Sequence, residues 1–298
     1  MPELPEVEIT ARLLDRALRG ARIDSALAPG INALKTFDPP LTELAGQAIA
    51  GVRRRGKNLI VETAPAPGAA PDFVLLIHLM SAGRLQLYDK RAAPRDRTSR
   101  LLVRVRLPEG GASGPDGREA ELRLREFGSK QAAWVKLLRA GELDGDEMLA
   151  KLGPEAWPDP SSLAETLAAP RPLHALLRDQ RTIAGIGRSW VDEILWRARL
   201  SPYKRGADLD TAECERLREA IVETLGGAIT HYEQAIELPI PDKLPMPLQV
   251  HRHEGEPCPR CATTLRAVHF EDYVIAYCPT CQTDGRVLKD RRLSRLLK

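Results

Sequence analysis

Residues 101–125 read LLVRVRLPEGGASGPDGREAELRLR. Leu101, Val103, Val105 and Leu107 alternate with Arg104 and Arg106, a two-residue period that turns one side of a strand toward a core. A glycine-rich turn from Gly110 to Gly117 follows, and then Leu122 and Leu124 alternate with Glu121, Arg123 and Arg125. The spacing predicts an antiparallel hairpin with one buried face. Strand-like patterning extends outward from it over residues 22–140, with Gly56 and Lys57 at a second hairpin tip and a Pro/Ala/Gly loop at 64–72. Upstream, residues 2–19 read as a helix. Pro2 and Pro5 suit its entry, Val7, Leu14 and Leu18 share a face, and Gly20 ends it.

Downstream the period changes. Residues 141–160, ending in GPEAWPDP, read as a hinge. Helices are predicted near 162–168, 172–179, 188–199 and 211–227, the last opened by Asp210 and Glu213 at capping-box spacing. The four prolines of ELPIPDKLPMP (237–247) make that stretch an extended loop. A mixed α+β chain of 298 residues, at roughly 150 residues per domain, is expected to form about two domains.

Cys258-Pro-Arg-Cys261 and Cys278-Pro-Thr-Cys281 bracket sixteen residues rich in β-branched and aromatic side chains. Two such knuckles on a hairpin complete a tetrahedral thiolate shell, which selects zinc or iron, and zinc is expected. Four thiolates leave no open position, so one Zn2+ would fold this segment rather than perform chemistry. Cys214 falls in a helix and is expected to act as a small buried hydrophobe.

Hydrophobic residues are 43% and charged residues 29%, which excludes a disordered chain. No apolar run approaches the ~18 residues of a membrane helix, so no membrane partner is expected. Glu3, Glu6, Glu8 and Asp15 argue against a signal peptide, and paired Cys-x-x-Cys motifs fit a reducing, cytoplasmic compartment. Net charge is only +3, yet basic residues cluster: Arg53, Arg54, Arg55 and Lys57; then Arg95, Arg97, Arg100, Arg104 and Arg106; then a tail from Gly285 to Lys298 that is net +5. Each cluster suits phosphate neutralisation, or else a solvated surface.

Five segments in order carry a more specific signal: MPELPEVE at the start, RRRGKNLIVE at 53–62, LLRDQRTIAGIG at 176–187, VDEILWRARLSP at 191–202, and the four-cysteine segment from Gly255. Together they resemble the bacterial formamidopyrimidine-DNA glycosylase / endonuclease VIII family, nearer the formamidopyrimidine branch. The resemblance implies an N-terminal helix on a two-sheet β-sandwich (1–140), a hinge (141–160), a helix–two-turn–helix domain (161–250) and a zinc finger with a basic tail (251–298). It further implies a monomer that excises a damaged base and cleaves the abasic site, with double-stranded DNA in the cleft between domains.

The chemistry implied begins at Pro2. Removal of Met1 frees a secondary amine, and an α-amino group titrates near 7.7–8.0, far below lysine. It is the nucleophile, Glu3 the proton donor, and Glu6, one turn on, a supporting residue. Lys57 would hold a phosphate beside the damaged nucleotide, and His78 would meet the DNA backbone. The AGIGRSW turn would bring backbone N–H groups to phosphate.

The pattern departs from the family at several points. Arg188 stands where asparagine is usual and can still bind phosphate; Tyr273 stands where the finger hairpin carries an arginine, so that phosphate contact is lost or is supplied by Arg266 or the tail. Glu126 is read as replacing the intercalating arginine, an acid facing the estranged base. Ser81 aligns with the void-filling methionine, leaving Met80 to wedge into DNA or to pack in the core. ELPIPDKLPMP replaces the flexible lesion-recognition loop, so the resemblance does not imply a preference for 8-oxoguanine. A catalytically silent lesion-binding protein is the alternative reading; an RNA-binding zinc-ribbon protein would explain the cysteines but not the N-terminus.

Overall fold

The computed structural model describes residues 2–30, 32–93, 96–108, 117–127 and 131–289. The apex of the 101–125 hairpin, Arg95 and most of the basic tail lie outside the described residues. The chain forms two compact units, residues 1–150 with 232–244, and residues 151–231 with 245–298.

The first unit opens with α1 (Leu4–Leu18), followed by β1 (Arg22–Leu27), β2 (Ala48–Arg55), β3 (Asn58–Ala64) and β4 (Phe73–His78). It continues through β5 (Gly83–Tyr88), β6 (Ser99–Leu107), β7 (Arg118–Glu126), β8 (Trp134–Arg139) and the short α2 (Glu147–Ala150). The strands run in the order β5-β7-β6-β1-β2-β3-β4-β8. β1 meets β2 through the single pair Arg22↔Ala48, so two four-stranded halves join at one narrow seam. Register shifts at Ile23/Ser25 and Ile49/Gly51 flank that seam. Such bulges bend a sheet, and here they let one ladder fold into a β-sandwich. The predicted hairpin is present as β6 and β7, with Val103 opposite Leu122. Leu101, Val103, Leu122 and Leu124 pack with Val7, Leu14 and Leu18 of α1 in one core.

The second unit contains α3 (Leu163–Leu167), α4 (Leu173–Arg178), α5 (Arg188–Arg197) and α6 (Thr211–Ala235). The antiparallel hairpin β9 (Arg266–His269) and β10 (Val274–Tyr277) and the short α7 (Pro279–Thr283) complete it. The capping box opening α6 is formed: Glu213 N–H donates to Asp210 Oδ1 at 2.8 Å, and Asp210 N–H to Glu213 Oε2 at 3.1 Å. Helix α6 runs eight residues past the predicted end at 227. Gly226 does not terminate it; a Cβ there would sit 3.1 Å from Trp157 Nε1, so glycine serves a close approach inside the helix. The last turn of α6, from Tyr232, and the segment to Leu244 belong to the first unit, whereas the sequence reading grouped them with residues 161–250. Tyr232, Ile236 and Ile240 are the reason, since all three enter the core of the sandwich.

Candidate functional site

Two prolines and two acids organise the entry of α1. Glu3 is the N-cap and Pro5 lies in the first turn. Glu3 N–H donates to Glu6 Oε2 at 2.8 Å, which satisfies one of the donors a helix start leaves open. Glu3 and Glu6 are both buried. On its other oxygen Glu6 accepts the hydroxyl of Tyr232 at 2.8 Å. Burial and the neighbouring carboxylates of Glu6 and Glu3 hold the Tyr232 phenol far above its ordinary range, so it remains a donor. The half-buried Pro2 is thus attached to a helix start braced from the end of α6.

Arg84 and Gln86 of β5 add to that brace. The Arg84 guanidinium donates to Asp242 O, and the Gln86 amide donates to Ile240 O and to Asp242 Oδ1. Burial lowers the Arg84 pKa, while Asp242 and Glu6 oppose that shift. The proline-rich segment is therefore pinned along the sandwich at Ile240 and Asp242. Neither Tyr232 nor Arg84 was singled out in the sequence; partners more than 150 residues apart leave no local pattern.

Lys57 and His78 form a second group. Gly56 has φ +56°, a conformation glycine adopts without strain, and it opens the two-residue tip that carries Lys57. Lys57 is buried. Asn58, the next residue, is paired with His78 across β3 and β4. His78 stacks on Trp134, ring centroids 5.7 Å apart, and accepts Met80 N–H on Nδ1 at 3.0 Å. Burial, with the charge of Lys57, lowers the His78 pKa to about 4. At neutral pH the ring is uncharged and offers only its Nε2 proton. Met80 is half-buried and adopts φ +49°, beside the exposed Ser81.

Glu126 corrects the sequence reading. It is only 1% exposed, and its carboxylate accepts Ala133 N–H at 2.9 Å and lies 3.8 Å from Arg100 Nε. The strand period explains this, for Glu126 shares the inward face of Leu122 and Leu124. The outward cation here is Arg125, whose guanidinium lies 4.5 Å from the centroid of the exposed Phe127 ring. Among the described residues, several arginines of the first two basic clusters are matched by acids. Arg53 pairs with Glu62, Arg54 with Glu8, Arg104 with Glu121 and Arg106 with Asp24.

In the second unit the four cysteine sulfurs lie within 4.8 Å of one another. Four thiolates at about 2.3 Å from one ion stand roughly 3.8 Å apart, so the cluster has the size of a zinc shell. Trp196 Nε1–H and Cys281 N–H point at the sulfurs of Cys258 and Cys278, as donors to thiolate do. Cys214, set apart in α6, is half-buried rather than core. The buried acids of α5 fasten this finger. Glu193 accepts the N–H groups of Gln249, Val250 and His251, and Asp192 binds His251 Nδ1 at 2.7 Å and Ala276 N–H at 3.0 Å. The finger's hairpin is therefore registered against α5, which begins at Gly187 and Arg188. Arg188 pairs with Asp272 at 2.9 Å, beside Tyr273.

Comparison with known proteins supplies the context. The formamidopyrimidine-DNA glycosylase N-terminal domain matches residues 1–128, its H2TH domain residues 152–239, and the zinc finger found in FPG and IleRS residues 255–283. A formamidopyrimidine-DNA glycosylase of Bacillus cereus (strain ATCC 10987 / NRS 248) is 30% identical over 295 residues, covering 95% of this chain and 99% of the relative. The chain belongs to the formamidopyrimidine-DNA glycosylase family. The glycosylase of Rhodopseudomonas palustris is 32% identical, over 95% of this chain and all of its own. The structure of the Lactococcus lactis enzyme in complex with abasic-site DNA superposes with a TM-score of 0.78 at 27% identity, over 94% of this chain and 99% of that one. As in this glycosylase family, the described architecture is a sandwich, a helical domain and a zinc-finger hairpin. Among the described residues no helix is long and apolar enough to cross a membrane.

Proposed function

We propose that the protein is a bifunctional DNA glycosylase and abasic-site lyase of base-excision repair, acting in the cytoplasm on double-stranded DNA that carries a damaged base or an abasic site. The observation that carries this reading is the braced start of α1, where Glu6 holds Glu3 N–H on one side and Tyr232 on the other. A nucleophile on the first residue of a processed chain would otherwise sit on a fraying end. Here the helix start is fixed to the core, which restricts the positions Pro2 can sample and favours a near-attack geometry.

The Pro2 nitrogen forms a bond to C1′ as the bond from C1′ to the base breaks, and the proton that the amine gives up passes to the departing base. Glu3 gives a proton to the sugar ring oxygen, the ring opens, and the nitrogen lone pair completes an iminium to C1′. A secondary amine cannot lose that charge by deprotonation. The cation therefore acidifies C2′–H; a base removes that proton and the electron pair expels the 3′ phosphate. A second elimination expels the 5′ phosphate, and water releases the sugar fragment and regenerates the amine.

Lys57 holds phosphate as a cation, and His78 as a neutral donor through Nε2. The zinc supplies a cross-link that folds the finger. Residues 1–150 with 232–244 carry the chemistry, and the second unit binds the duplex. Of the two departures that favour a silent lesion-binding protein, Glu126 and Tyr273, the first is buried in the sandwich. A tag retained ahead of Pro2 tests the proposal. It is expected to abolish strand cleavage while leaving abasic-duplex binding intact; full cleavage with a blocked amine would rule out Pro2.

A further inference from the structure

Tyr273 stands where the family's finger hairpin carries a cation, and a guanidinium from another element lies against its ring. The Arg178 guanidinium, from the last turn of α4, lies 4.1 Å from the Tyr273 ring centroid. The ring is held in turn by Phe270, 4.5 Å away and inclined by 8°, and by His174, 5.8 Å away and inclined by 13°. His174 is buried, which lowers its pKa, so the platform beneath Arg178 is uncharged at neutral pH.

The geometry points to Arg178 as a DNA-phosphate ligand that replaces the missing hairpin cation, with Tyr273 as its positioning residue. This rests on the DNA-binding reading above. Three observations carry it. First, Arg188, 5.9 Å from the same ring, is engaged by Asp272, whereas Arg178 has no carboxylate partner among the described residues. It is half-exposed, whereas Arg53, Arg54 and Arg106 are each matched by an acid. Second, a guanidinium lying on an aromatic face keeps its in-plane N–H donors directed outward, the geometry for binding a phosphate. Third, the backbone of Arg178 is tied to the Ala-Gly-Ile-Gly turn before α5. The Gln180 amide donates to Arg178 O at 2.9 Å and to Ile186 O at 2.7 Å, and its oxygen accepts Gly185 N–H at 3.0 Å. One side chain thus ties the end of α4 to the turn that presents Arg188.

The test is the salt dependence of binding to a duplex containing a tetrahydrofuran abasic analogue, which the enzyme cannot cleave. Removing one phosphate contact lowers the slope of log K against log salt by about 0.9. Arg178→Gln is expected to show that loss, with affinity weakened roughly tenfold at fixed salt and equally for undamaged duplex. Tyr273→Phe retains the stack and the wild-type slope. Tyr273→Ala loses the slope increment, and adding Arg178→Gln to it costs nothing more. An unchanged slope in Arg178→Gln, whether or not its melting temperature falls, would overturn the inference while leaving the DNA reading in place. Wild-type protein that does not bind the duplex would overturn both.

Discussion

The Tyr232 hydroxyl donates to Glu6 Oε1 at 2.8 Å, across 226 residues of sequence, and the other oxygen of the same carboxylate caps Glu3 N–H. One buried acid thereby couples the end of α6 to the residue next to Pro2, the proposed nucleophile. Tyr232→Phe removes the donor and leaves a buried carboxylate oxygen with one partner fewer. The expected cost is about 1–3 kcal/mol in urea unfolding. Strand cleavage is expected to slow with little change in duplex affinity, because the brace serves position rather than DNA contact. Unchanged stability and rate would show that Glu6 is held by other means.

Glu126 is expected to behave as a core residue. Glu126→Ala strands the buried Arg100 charge and the Ala133 N–H. Breaking such a pair costs roughly 3–5 kcal/mol. Thermal melts should show a large loss, while the ratio of activities on duplexes differing in the opposite base stays at the wild-type value. A stable variant with altered opposite-base preference would return Glu126 to the DNA surface.

His78 makes a pH-dependent contribution to stability of definite sign. Its pKa is lowered from 6.5 to about 4 in the folded protein, so between those values the unfolded chain binds the extra proton. Stability contributed by neutral His78 is therefore fully present above about pH 6.5 and is lost as pH falls toward 4. A shift of this size corresponds to roughly 3 kcal/mol. His78→Gln should flatten unfolding free energy over that window relative to wild type, and an equally steep variant profile would assign the slope to another group.

Zinc is expected at one ion per chain. Chelation, or Cys278→Ser, removes the cross-link that the Cys258–Cys281 loop closes and releases the hairpin bearing Tyr273 from its knuckles. Duplex affinity should fall by roughly tenfold or more. Metal analysis and titration before and after chelation measure both; full affinity in metal-free protein would separate the finger from binding.

The alternation in residues 101–125 and the paired Cys-x-x-Cys spacing are local patterns, and both elements formed as those patterns predict. The same alternation placed Glu126 inward, in step with Leu122 and Leu124, but alignment to a family position directed attention to the wrong face. Tyr232, Arg84 and Gln86 were illegible for a different reason: their partners are distant in sequence, and only the packed sandwich brings them together. Asp192 and Glu193 stood inside a recognisable motif, yet their role as buried anchors of the finger follows from the N–H groups of the segment and hairpin packed against them. Helix α6 continues through Gly226 and Gly227 to Ala235, with Trp157 lying against Gly226.

The central claim is that the amine of Pro2 forms a covalent bond with the sugar. Untagged protein, with Met1 removed, is incubated with abasic-site duplex and borohydride, which reduces an iminium to a stable amine. The account predicts a protein–DNA adduct that peptide mass spectrometry maps to Pro2, and its absence in Pro2→Gly under the same brief incubation. Duplex binding without any adduct, or an adduct mapping to a lysine, would contradict it.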